Sequence, residues 1–211
     1  MKLLIRNFFF DHPFSSLPFM NSITTNSFAD RGGPTPTVEL TEFGDFTGAQ
    51  CRRSRPLLAS ILKAFDGRVR YSYRHFPNDQ SEASKMAALA AEAARRQGQF
   101  WLMYQALFTQ PTINRSSLST LAISLGLHYH QFLNDLDDEE LYHRIDADRR
   151  EGQQLGVMTT PTFFVNGQRF YGKLTQARLA PIVHAQVSQY AQPVLSKVDV
   201  ANGMIYWGRG E

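Results

Sequence analysis

The sequence predicts an α/β fold that carries a helical insertion, and three observations predict it. Two short runs with strand periodicity flank one amphipathic helix in the first half of the chain. An Ala-rich block of helical period fills the middle. Near the end, an Asn-Gly pair sits between two β-type runs and is followed by a last amphipathic helix. With 211 residues, 43% of them hydrophobic, the chain can bury one sizeable core without help from disulfides.

Residues 1–36 read as a leader or linker, because NSITTNSFADRGGPTP (21–36) is rich in Ser, Thr, Asn, Gly and Pro, residues that favour turns over packing. The Phe-rich stretch before it (Phe8, Phe9, Phe10, Phe14, Phe19) is a candidate short anchor. The folded domain is expected over 37–190. VELTEFGDF (38–46) alternates as a short buried strand and runs into a turn at Gly44-Asp45. From Cys51 the residues Leu57, Leu58, Ile61, Leu62 and Phe65 recur at helical spacing until Asp66-Gly67, with Pro56 as a kink or an early-turn residue. RVRYSYRHF (68–76) is a second strand, which completes a βαβ unit with a parallel pair.

The insertion occupies about residues 80–155. Ser81 to Phe108 is helical in period, and the aromatic stripe from Trp101 to Phe108 is expected to be core. Breaks at 110–115 and 125–130 set off two more helices, SSLSTLAISLG and QFLNDLDDEELYHRIDADRREGQQLG. In the second of these, the DLDDEE run (135–140) reads as a solvated helix start, where acids favour the dipole. PTFFVNGQRFYG then forms a hairpin about Asn166-Gly167, and the last helix runs from Leu174 to about Tyr190. Residues 191–211 are a tail with no assigned role.

Charge and composition exclude some functions. The 22 basic and 19 acidic residues leave +3, and the basic ones are scattered, so nucleic acid is not expected as a partner. No run is long and apolar enough for a membrane span, and no export signal is evident, which makes the cytoplasm the expected compartment. His128 and His130 lack a third donor at ligand spacing, so no metal is expected. The single cysteine rules out an intramolecular disulfide.

The element order is that of the thioredoxin fold with a helical insertion, and four segments carry a closer likeness. They are EFGDF (42–46), Cys51-Arg52-Arg53 with Pro56, Tyr73-Arg74-His75-Phe76-Pro77, and GVMTTPTFFVNG (156–167). Over Val38 to Val187 the chain resembles the DsbA-like thiol oxidoreductases, including the DsbA-like domains fused to sodium/proton antiporters. The resemblance implies a cis peptide at Thr160-Pro161 beside the active-site turn, and a Thr160 main chain that pairs with bound thiol substrate. It also implies association with a membrane transporter. The usual pattern, FGDF, one variable residue, then Cys-x-x-Cys, is broken here. Gly48 falls where the first, nucleophilic cysteine belongs, and Cys51 takes the place of the second, resolving one.

Three readings of the GAQC turn follow. In the first, Cys51 works alone as a redox thiol, activated by the helix N-terminus and by Arg52 and Arg53, in glutathione-linked or peroxide-linked chemistry, with glutathione a candidate co-substrate and no resident cofactor. In the second, the chain is a binding or regulatory module that holds a thiol- or disulfide-containing peptide, or a small thiol, beside Thr160-Pro161 without turnover. In the third, Cys51 is a small buried hydrophobe in an inherited fold. The candidate residues are Cys51 for catalysis and Thr160, Pro161, Gly48 and His75 for substrate. His75 is weighed against a surface or packing role.

Overall fold

In the computed structural model, which describes residues 30–31, 36, 38–65, 67–170 and 175–190, one sheet organises the chain. Its strands are β1 (Asp30–Arg31), β2 (Val38–Gly44), β3 (Val69–His75), β4 (Thr162–Val165) and β5 (Gln168–Phe170), in the order β1-β3-β2-β4-β5. The pair β2 and β3 is parallel, with Val38 opposite Val69 and Gly44 opposite His75. A parallel pair needs a crossover, and helix α1 (Ala49–Ala64) supplies it. The other three pairings are antiparallel. Central β2 has a neighbour on each side, and Leu40, Phe43 and Thr41 are all buried. Both of its faces are therefore covered, as for a middle strand between helical layers.

Strand β1 lies inside the segment read as a linker, where Asp30 and Arg31 pair with Ser72 and Tyr71. The composition gave no hint of it, because pairing along a sheet edge uses main-chain groups and asks little of the side chains. The Phe-rich stretch and the tail from 191 lie outside the described residues. The hairpin between β4 and β5 turns at Asn166 (φ 48°) and Gly167 (φ 75°). Asn166 also ties the turn to β2, since its side-chain oxygen accepts from the Glu39 N–H at 2.7 Å and its own N–H donates to the Glu39 carbonyl at 2.8 Å.

The insertion consists of α2 (Glu82–Arg96), α3 (Phe100–Thr109), α4 (Arg115–Ser124), α5 (Tyr129–Asp135) and α6 (Glu139–Gln154), and α7 (Gln176–Tyr190) closes the domain. Ser81 caps α2 by accepting from the Ser84 N–H, and Gly98 (φ 71°) ends the turn that separates α2 from α3. The single helix expected over 131–156 is two. Asp138 stops α5 from continuing by capping α6, accepting from the Glu140 N–H at 2.8 Å. Arg96, at the end of α2, holds Asp135 and Asp138 at 2.6 Å each. The acidic run is thus a docking point for α2 as well as a helix start, and Asp135 is buried.

A second polar cluster fastens the insertion to the end of β3. Arg74 donates to Asp148 at 2.8 Å, and the other oxygen of Asp148 accepts from the His75 N–H at 3.0 Å. The His75 ring nitrogen Nε2 is 3.0 Å from Glu92, which also receives Arg95 and Arg144, each at 2.6 Å. Burial by itself pushes the Glu92 carboxyl up, but the hydrogen bond and charge of His75, together with Arg144 and Arg95, outweigh it and hold the pKa at about 2, below the ordinary 4.5. A depressed folded-state pKa contributes stability that is present above the unfolded value and lost as the pH falls through the folded one. We expect acid to remove about 3 kcal/mol between pH 4.5 and pH 2, at 1.36 kcal/mol per pKa unit. Urea midpoints measured across that window should fall steeply in the native chain and flatten in Glu92→Gln.

Candidate functional site

The site grows out of the turn that links β2 to α1. Gly44 ends the strand where only a residue without a side chain fits, since a Cβ there would lie 2.5 Å from the Tyr73 ring. The next residue, Asp45, is buried and shapes the turn. Its side chain accepts from the Thr47 N–H and hydroxyl, each at 2.8 Å, and its carbonyl accepts from the Gly48 N–H at 3.1 Å. Gly48 is the N-cap of α1 in an extended conformation (φ −67°, ψ 121°) and has no side chain to cap with. Cys51 is therefore the third residue of the helix. It is fully buried, and its sulfur accepts from the Asp45 N–H at 3.4 Å.

Beneath the thiol lies a polar cluster that the sequence reading missed. Glu42, buried on β2, accepts both from the Arg55 guanidinium and from the Tyr71 hydroxyl, the latter at 2.7 Å. The Tyr71 hydroxyl is in turn 3.0 Å from that of Tyr104 on α3. Arg55 also reaches back along α1 to donate to the Cys51 carbonyl at 2.9 Å. One sequence signal for Glu42 exists: it sits in phase with Val38 and Leu40, so a charge falls on an apolar face of the strand. For Arg55 there is none, because its partner is 13 residues away on another element.

These surroundings correct the expected electrostatics of Cys51. Burial, and next the negative charge of Glu42, push the thiol up from 9.0 to about 11, against hydrogen bonds from the Asp45 main chain and the Thr160 side chain and the positive charge of Arg55. Arg52 and Arg53, expected to activate the sulfur, are both exposed to solvent. A thiol is reactive as its thiolate, and this one is held as the neutral acid at ordinary pH. His75, a substrate candidate weighed against a packing role, takes up the packing role. It is buried and engaged with Glu92, so it anchors the insertion instead of facing a substrate.

Thr160 and Pro161 arrive from the opposite direction, on the segment between α6 and β4, and the peptide between them is cis. The Thr160 side chain is among the groups that pull the Cys51 thiol down, so residues 51 and 160 come close across more than a hundred positions of chain. Thr160 and Pro161 are half-buried, as are Thr47 and Gly48. Around them Ala49, Gln50, Met158 and Thr159 are exposed, Met158 at 83%. The structure thus gathers Cys51, Gly48, Thr160 and Pro161 and leaves His75 out.

A sequence profile described as thioredoxin matches residues 25–185. A thioredoxin-like oxidoreductase from Silicibacter pomeroyi DSS-3, solved by crystallography, is 30% identical, with a TM-score of 0.68 over 75% of this chain and 91% of that one. The fold is shared more distantly with α-DsbA1 from Wolbachia pipientis, 18% identical with a TM-score of 0.69 over 81% of this chain and 95% of that one. This chain belongs to the DsbA-like thioredoxin family. The DsbA-like domain is also similar to part of the Na(+)/H(+) antiporter NhaA 1 of Mycolicibacterium gilvum, 33% identical over 159 residues that make up 74% of this chain and 26% of that protein. A second similarity, to the antiporter NhaA of Herminiimonas arsenicoxydans, is 32% over 156 residues. The DsbA-like chain spans about a quarter of the length of these curated relatives. No helix among its described residues is long and apolar enough to cross a membrane.

Proposed function

We propose that this DsbA-like domain is a binding module, which holds an extended thiol- or disulfide-containing peptide, or a small thiol, beside Thr160-Pro161 without disulfide turnover. The observation that carries this reading is the state of Cys51: the sole thiol of the chain is fully buried and pushed up to about 11. At neutral pH the sulfur is then held as the neutral thiol rather than the nucleophilic thiolate, and it is shut off from solvent. With Gly48 in the N-cap seat, a two-thiol cycle has no attacking group. The exposed Met158 and Thr159 beside half-buried Thr160 and Pro161 support an extended ligand there, of the kind that main-chain pairing holds. By analogy with the antiporter relatives, a membrane transporter is the proposed neighbour of the domain.

The single-thiol redox reading, with glutathione as co-substrate, has one observation in its favour. A Cβ at Gly48 would lie 3.3 Å from the Cys51 sulfur, so the glycine spares the thiol a side chain pressed against it. Alkylation by iodoacetamide separates the two readings. For the binding module, labelling of the native chain should stay negligible at pH 8 and rise only toward pH 11, with no mixed disulfide formed from oxidised glutathione. An apparent pKa below about 8.5, accompanied by glutathionylation, would establish the redox reading instead. In a peptide array, captured peptides should survive Cys51→Ala and be lost in Pro161→Ala.

A further inference from the structure

A cavity of about 340 Å3 opens between α1 and α3. It lies within the ~300–1,000 Å3 range of clefts that take small molecules, and it is separate from the Thr160-Pro161 groove. Its walls are apolar and ring-rich: Leu58 and Leu62 come from α1, Trp101 and Phe108 from α3. Tyr71 closes the back, where its hydroxyl is already spent on Glu42.

The charge of this cavity has one sign. Arg52 and Arg55 line it, and among the described residues no carboxylate does. Arg55 is committed, paired with Glu42 and lying 4.6 Å over the Phe108 ring. Arg52 is exposed, and the sequence of α1, AQCRRSRPLLASILKA, contains no acid to neutralise it. An apolar slot with a cation at its mouth complements a flat ring that bears one negative charge.

We propose that the cavity between α1 and α3 binds a small aromatic carboxylate, with its ring between Leu58, Leu62, Trp101 and Phe108 and its carboxylate on Arg52. The site does not depend on the binding-module reading, since none of Gly48, Cys51, Thr160 or Pro161 lines it.

The test is calorimetric titration of the full chain with 2-naphthoate and, separately, with uncharged 2-naphthamide, which keeps the ring and loses the charge. Saturable binding of the acid is expected, with the amide at least about threefold weaker, as an exposed ion pair is worth a factor of a few. Arg52→Ala should weaken the acid to the level of the amide, whereas Arg53→Ala, whose side chain is off the cavity, should leave it unchanged. Ala59→Phe plants a ring at an exposed lining position and should reduce binding by more than about tenfold, since the slot is then filled. Absence of saturable binding to the native chain overturns the proposal. So does equal affinity for acid and amide, or acid binding that is indifferent to Arg52→Ala.

Discussion

Replacing Gly48 by cysteine is expected to yield a chain whose two thiols disappear on mild oxidation and return on reduction. A Cβ at position 48 lies 3.3 Å from the Cys51 sulfur, close to the about 3.0 Å that separates a Cβ from the far sulfur of a relaxed disulfide. The backbone there (φ −67°, ψ 121°) suits any L-residue, and only the Asp45 carbonyl, at 3.2 Å from that Cβ, must give by a few tenths of an ångström. The new thiol would sit at the N-cap of a 16-residue helix, where free N–H groups and the helix dipole favour its thiolate. Thiol titration should therefore fall from two to none after the two-electron oxidant diamide is added, with the two thiol protons and two electrons passing to the diamide, and dithiol-driven reduction of insulin should rise at least about tenfold over the native chain. Two titratable thiols persisting after oxidation would show that position 48 is not the seat of a partner sulfur.

The second large effect concerns the ion pair beneath the thiol. In Arg55→Met the Glu42 carboxylate keeps Tyr71 but loses its counter-charge inside the core. Breaking a buried pair from one side costs about 3–5 kcal/mol, a large share of the ~5–15 kcal/mol that holds a domain together. The urea midpoint should fall accordingly, and much of the loss should return in the double variant Glu42→Gln/Arg55→Met, where no lone charge remains. The single changes should move the thiol in opposite directions, because Glu42 raises its pKa and Arg55 lowers it. Alkylation profiles should thus shift to lower pH in Glu42→Gln and to higher pH in Arg55→Met. A shift of the same sign in both would mean that charge does not govern the sulfur.

How much of this was legible in the letters depends on the range of the interaction involved. Helix α1, the β3 alternation and the Asn166-Gly167 hairpin were readable because each is written in neighbouring residues, as a period of 3.6, a period of 2 or a turn dipeptide. The division of the insertion near Asp138 was not, because continuous helical spacing hides a cap whose second partner, Arg96, lies 42 positions earlier. The two-residue β1 was invisible for another reason, since it uses main-chain bonds that any residue offers. For His75 the letters left substrate contact and packing both open, because a histidine at a strand end carries no mark of burial, and it is Glu92 on α2 that encloses it.

The thiol shows the same division most sharply. Chain order alone determined the fold class, the count of one cysteine and the glycine three places before it, and with them the impossibility of a disulfide cycle within this chain. It could not determine how that cysteine behaves. The helix N-terminus and the adjacent Arg52 and Arg53 argued for an activated sulfur, whereas folding left both arginines exposed and put the sulfur, desolvated, in the field of Glu42. Desolvation and the field of a buried charge depend on which groups the fold brings within a few ångströms, and only the tertiary structure decided that.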